Sequence, residues 1–171
     1  NPSSAASDVY KRQLQYFQHS AAALSTEAIL SILTCILVTF ALLHLVKNNR
    51  ASAHVILFML FAIQVINAFY HIFFSFYFSD FSPGAITAVV LYLPVNFLIV
   101  QAAFKEGYLK SYFEFGCIAF LGTTTFILFE IFGPIIIVAA IIFSLIYFVW
   151  FNKQISAVSY THLRAHETRI H

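Results

Sequence analysis

Gln64, Asn67 and His71 are the residues of this chain whose types and spacing best suit joint chemistry. Steps of three and then four place them on one face of a helix. An imidazole carries or accepts a proton near neutral pH and can bind a metal, and a neighbouring amide can orient it. Asn67 falls near the middle of an otherwise apolar run, 55–78, and His71 lies about 6 Å farther along. The same three side chains could instead bond to adjacent helices, on the order of 0.6 kcal/mol per contact in membrane bundles. At this level both readings stand.

Other segments offer polar groups at similar depth. Pro94 lacks an amide proton and should leave the Val90 carbonyl without its usual donor, with Asn96 near enough to help satisfy exposed backbone. Gln64, Asn96, Thr87 and Pro94 are therefore expected to line any pocket around Asn67 and His71. Gly122 with Thr123–Thr125, and Thr34 and Thr39, are ordinary helix-contact residues. His44 and His54 flank a short basic turn and are expected at the membrane interface, with no chemistry assigned. Cys35 and Cys117 sit in long apolar runs and read as small hydrophobes in helix packing. No phosphate loop, nucleophile elbow, zinc-finger spacing or metalloprotease helix motif occurs.

Lipid is the solvent these segments require. The chain is 61% hydrophobic and 9% charged, and its apolar runs are apolar all round rather than striped. Five runs are long enough to cross a ~30 Å hydrocarbon layer: 28–46, 55–78, 85–104, 113–132 and 135–151. Ser25-Thr26-Glu27 reads as a cap for the first. Ser82-Pro83-Gly84 and Gly133-Pro134 break the chain before the third and fifth. Tyr147 and Trp150 suit an interfacial anchor. The expected fold is all-α, a multi-pass transmembrane bundle of five spans in one domain, with the lipid bilayer as its partner.

The connections alternate in charge. Lys47, Arg50, Lys105, Lys110 and Lys153 follow the first, third and fifth runs, while the intervening turns carry Asp80 and Glu130. Basic residues favour the cytoplasmic side, which sends the odd-numbered spans inward. Glu114 can reach the inner boundary and is expected to pair with Lys110 at i,i+4.

Both ends have a different character. Ser3–Gln13 (SSAASDVYKRQ) and Val158–His162, continuing to Thr168, back-translate into the two arms of a transposase sequencing adapter. Residues 1–13 and 158–171 are therefore expected to be non-native, and 14–157 to be a membrane domain open at both ends. Within 14–157, five basic residues balance five acidic ones. The formal charge of +2 for the whole chain thus gives no reason to expect nucleic acid.

The stretch Asn67-Ala68-Phe69-Tyr70-His71, then Phe81-Ser82-Pro83-Gly84-Ala85-Ile86-Thr87-Ala88 and Leu93-Pro94, resembles the HXXEE-motif family of small bacterial integral membrane proteins over roughly 28–107. The His-x-x-Glu-Glu element that names the family is missing: His19 is followed by Ser20-Ala21-Ala22-Ala23. The resemblance implies a bacterial cytoplasmic-membrane protein whose motif helix lies upstream. It suggests an intramembrane hydrolase, acid–base or metal-assisted, with Asn67 and His71 in the site. A divalent metal held in part by His71 is a possible cofactor under that implication. A small transporter and a purely structural span set are the rival expectations.

Overall fold

The computed structural model describes residues 26–77 and 83–167, and these form helices joined by short turns, without a strand. Helix α1 is Thr26–Lys47, α2 is Arg50–Tyr77 and α3 is Gly84–Lys105. Helix α4 is Tyr112–Phe132 and α5 is Ile135–Glu167. Among the described residues, four segments are long and apolar enough to cross a membrane: α2, α3, α4 and Ile135–Gln154 of α5. The apolar part of α1, Ser31–Lys47, is shorter. The cap expected at Ser25, the turn residues Phe81 and Ser82, and Asp80 lie outside the described residues.

Local chemistry explains the boundaries. Asn48 ends α1 in the left-handed region at φ 43°, and its amide donates to the His44 carbonyl at 2.7 Å. Asn49 then caps α2: its side chain accepts from the Ser52 amide at 2.9 Å, and its own amide donates to Ser52 Oγ at 3.3 Å. This reciprocal cap starts α2 five residues ahead of the expected 55–78. The midpoint of the helix accordingly moves from Asn67 to Gln64. Ser111 caps α4 by accepting from the Glu114 amide at 3.1 Å. Gly133, at φ 75°, ends α4.

Two helices are interrupted by a single π turn, Phe61–Val65 in α2 and Ala88–Tyr92 in α3. The second has a clear cause. Pro94 cannot donate to the Val90 carbonyl; the ladder widens one turn earlier, and Leu93 N–H reaches back to the Ala88 carbonyl. The Asn96 side chain then donates to the Tyr92 carbonyl at 2.7 Å. The expectation that Asn96 satisfies backbone near Pro94 holds, with Tyr92 as acceptor. The first π turn faces Gly122 of α4. A Cβ on Gly122 would lie 2.5 Å from Phe61 Cβ and 3.0 Å from the Phe58 carbonyl oxygen. The hydrogen atom in place of a side chain is what lets α4 cross here.

Helix α2 is the hub, with α1, α3, α4 and α5 packed around it. Its buried side chains, among them Val55, Leu57, Phe58 and Met59, join Phe40, Ala103, Leu109 and Ile118 in one cluster toward the basic end. Outward faces are apolar: Val46, Phe76, Phe120 and Ile146 are all well exposed. A water-soluble domain rarely shows so broad an apolar surface; lipid tails accept it without cost. Phe73, Phe76 and Tyr77 also face outward, while Phe74 is half-buried. Cys35 and Cys117 are also exposed. That corrects their expected role in helix packing: each points away from the neighbouring helices.

Candidate functional site

Two polar assemblies occupy opposite halves of the bundle. The first is the seam between α2 and α3. Gln64 Oε1 accepts from Asn96 Nδ2 at 3.1 Å, which ties the π turn of one helix to the turn following the other. Asn96 is buried, yet its Oδ1 has no hydrogen-bond partner among the described residues. Toward the far end, the His71 ring lies against the bare Cα of Gly84. A Cβ there would come within 3.0 Å of His71 Nδ1 and 3.1 Å of Cγ and Cε1. His71 Nδ1 is buried and also lacks a partner among the described residues. Tyr70 presents its ring edge-on to His71, centroids 6.3 Å apart.

The expected site residues thus separate into two groups. Gln64 and Asn96 meet directly, and His71 meets the Pro-Gly turn at the head of α3. Asn67 lies between Gln64 and His71 on α2 and is half-buried. Thr87 is exposed and its hydroxyl donates to the Gly84 carbonyl of its own helix at 3.0 Å. Pro94 is exposed as well, and acts on the seam through the π turn rather than through its ring. No group of three His, Cys, Asp or Glu side chains able to hold a metal converges among the described residues. Metal bound at His71 would need donors from beyond them.

The second assembly, at the basic end, is one that the linear sequence hides. Arg50 forms an ion pair with Glu114 through Nη2 and Oε1, and its Nε donates to the Tyr108 carbonyl at 3.2 Å. His54, 2% exposed, stands one turn further along α2. Its Nε2 lies 2.9 Å from the Tyr108 carbonyl and 3.4 Å from Glu114 Oε1, and its Nδ1 is 2.7 Å from the Tyr147 hydroxyl. A carbonyl only accepts, so Nε2 carries the proton; in the neutral ring, Tyr147 then donates to Nδ1. The Arg50 guanidinium sits 5.4 Å from the centre of the Phe151 ring, within cation–π range. Asn49 Nδ2 donates to Asn152 Oδ1 at 3.1 Å.

One expectation is corrected and another refined. His54, at the basic end of α2, is also a buried bridge between α2, α5 and the turn after α3. Glu114 pairs with Arg50 across the bundle instead of with the Lys110 ammonium. Lys110 precedes the Ser111 cap, so it is not on the helix where an i,i+4 pair could form; its backbone amide donates to Glu114 Oε2 at 2.7 Å. Arg50 and His54 at i,i+4, with an acid opening an apolar span, were the available signal, since a carboxylate entering lipid must be paired. Both ring nitrogens of His54 are engaged, so this knot is closed to a ligand. The seam instead holds two buried atoms, His71 Nδ1 and Asn96 Oδ1, without a partner among the described residues, as does Ser144 Oγ on α5; an unpaired buried polar atom calls for a bound water, an ion or a functional role.

No curated protein and no solved structure matches the chain. The family described as "protein of unknown function with HXXEE motif" matches residues 3–99. The match contains α1, α2 and α3 as far as Ile99, hence the entire seam, and begins ahead of Leu14. The spelled-out motif is nowhere in residues 3–99. With over half of its length matched, this chain belongs to the HXXEE family.

Proposed function

We propose that this protein is an integral membrane protein of the bacterial cytoplasmic membrane, crossed by all five helices, and that the α2–α3 seam is an acid–base site for hydrolysis of a membrane-dissolved substrate. His71 is the proton acceptor and Asn67 positions it. The supporting observation is the buried, unpartnered Nδ1 of His71 held against Gly84. In the Nε2–H tautomer that nitrogen offers a lone pair to a water proton. A metal at His71 would draw its other ligands from outside the described residues, so the acid–base form is the one stated in terms of described residues.

In micelles, the purified protein should hydrolyse members of a panel of lipid-soluble acyl esters. His71→Gln should lower the rate at least ~100-fold with helicity unchanged. Full activity in His71→Gln would remove the reading; loss on chelation, restored by a divalent cation, would replace it with the metal-assisted one. The Asn96 Oδ1 on the same seam, without a partner among the described residues, supports a second reading, a small transporter with a wet path through Asn67, His71 and Asn96. Solute uptake into proteoliposomes without ester turnover would select it.

The orientation follows from charge. The structure brings the helix ends carrying Lys47, Arg50, Lys105, Lys110 and Lys153 to one end of the bundle, through the Asn49–Asn152 and Arg50–Glu114 contacts. Cysteine substituted for Asp80 should react with an impermeant maleimide in intact cells. Cysteine substituted for Lys110 should react only after permeabilisation. The opposite pattern would invert the topology.

A further inference from the structure

Helix α3 is anchored over one part of its length and loosely joined over the other. From Leu93 onward it is tied to the hub. Asn96 is buried and donates to Gln64, and Ala103 belongs to the core cluster. Just past the helix, the Tyr108 carbonyl receives Arg50 Nε and faces His54 Nε2. The stretch Gly84–Tyr92 has none of these anchors. It packs on Ile66–Tyr77 of α2, Ala88 is its one buried residue, and Ile86, Val89, Val90 and Leu91 are exposed.

The two parts meet where the helix ladder is weakest. Pro94 supplies no N–H to the Val90 carbonyl, and the π turn Ala88–Tyr92 replaces the α pattern immediately before it. Helices bend at such turns and at proline. The Asn96 side chain holds the inner side of the junction through the Tyr92 carbonyl at 2.7 Å, so bending is confined to Ala88–Tyr92. At the far end of the stretch, Gly84 lies on the His71 ring, with room for no Cβ: one would stand 3.0 Å from Nδ1. This contact covers the buried Nδ1. A substrate or its attacking water reaches that nitrogen only when Gly84 moves off it. Such a movement uncovers little, because the stretch buries so little of itself.

We propose that Gly84–Tyr92 is a hinged arm of α3 that lifts at its π turn and uncovers His71 Nδ1. The site is shut while the arm lies on α2 and open when it is raised. The hinge stands on the packing of α3 alone; that its opening admits substrate rests on the seam reading above.

The test is spin-label distance measurement by pulsed electron double resonance on the full chain in lipid nanodiscs, with Cys35 and Cys117 replaced by serine. Labels go on exposed positions: Ile86 on the arm, Leu98 on the anchored part of α3, and Phe120 on α4 as the common reference. The Ile86–Phe120 pair should give two separations and the Leu98–Phe120 pair one. Gly84→Val, which crowds the His71 ring, should shift the ratio toward the second separation about tenfold. Pro94→Ala restores a donor for the Val90 carbonyl at an exposed position, and should leave a single separation. Circular dichroism checks that each variant stays helical. One narrow Ile86–Phe120 separation, unmoved by Gly84→Val, would overturn the hinge. A Leu98–Phe120 pair as broad as the Ile86 pair would also overturn it, since the whole helix would then be moving. A rigid arm with turnover lost in His71→Gln removes the hinge and keeps the catalytic reading. Two separations with full turnover in His71→Gln keep the hinge and remove that reading.

Discussion

Gly122→Val should destabilise the bundle by about 3 kcal/mol, seen as a lower midpoint in SDS-titrated unfolding from micelles. The valine Cβ would enter space already held by Phe61 Cβ at 2.5 Å, the Phe58 carbonyl at 3.0 Å and the Ala62 amide nitrogen at 3.1 Å. Two of those three atoms are backbone and cannot rotate away. Relief requires α4 to retreat from α2, which opens the contact on which the π turn of α2 sits. Gly116, two turns earlier on the same helix, has nothing within 4 Å of its ideal Cβ. Gly116→Ala should therefore act in the opposite direction, stabilising by roughly 0.5–1 kcal/mol through helix propensity. If both substitutions shifted the midpoint equally, close helix approach at Gly122 would not be what its position requires.

The second large effect concerns the ion pair at the basic end. Arg50→Met should cost about 2 kcal/mol, below the ~3–5 kcal/mol of a fully buried pair, because the two side chains retain 23% and 22% exposure. The loss comes from the stranded partner: Glu114 keeps its charge beside His54 and loses the guanidinium. Removing that charge as well, in Arg50→Met/Glu114→Leu, should recover much of the stability, since an apolar pair of similar volume needs no desolvation. A double-mutant cycle in the same unfolding assay measures this. Additive losses would mean that the two residues act separately and that the pair is not the unit.

The seam was legible in the sequence and the knot was not, for a physical reason. Gln64, Asn67 and His71 are neighbours on one helix, so spacing alone groups them, and depth along an apolar run indicates that they must face protein. Asn96 could be placed near Pro94 because both lie within a single turn. His54 takes its partners from Tyr108 and Tyr147, which are 54 and 93 residues away; no periodicity connects such positions. Helix starts were misjudged where polar residues belong to a span. Arg50, Ser52 and His54 look like loop until the capping by Asn49 and the partners on other helices are known. The π turns were hidden because apolar sequence has no marker for one extra residue in a turn, except at Ala88–Tyr92, where Pro94 was the visible cause. Thr87 was grouped with the pocket by composition, but an exposed threonine can satisfy its hydroxyl on the carbonyl three residues back, and it does.

Each π turn holds one residue more than an α-helix would use over the same stretch. Excising a single codon between 61 and 65 would remove that surplus, let α2 close into regular α-helix, and leave His71 at nearly the same azimuth against Gly84. The same excision between 66 and 70, where there is no surplus to absorb it, would swing His71 by roughly 100° toward acyl chains or another helix. Tolerance of a one-codon deletion is thus confined to the π turn, a distinction that hydropathy cannot detect.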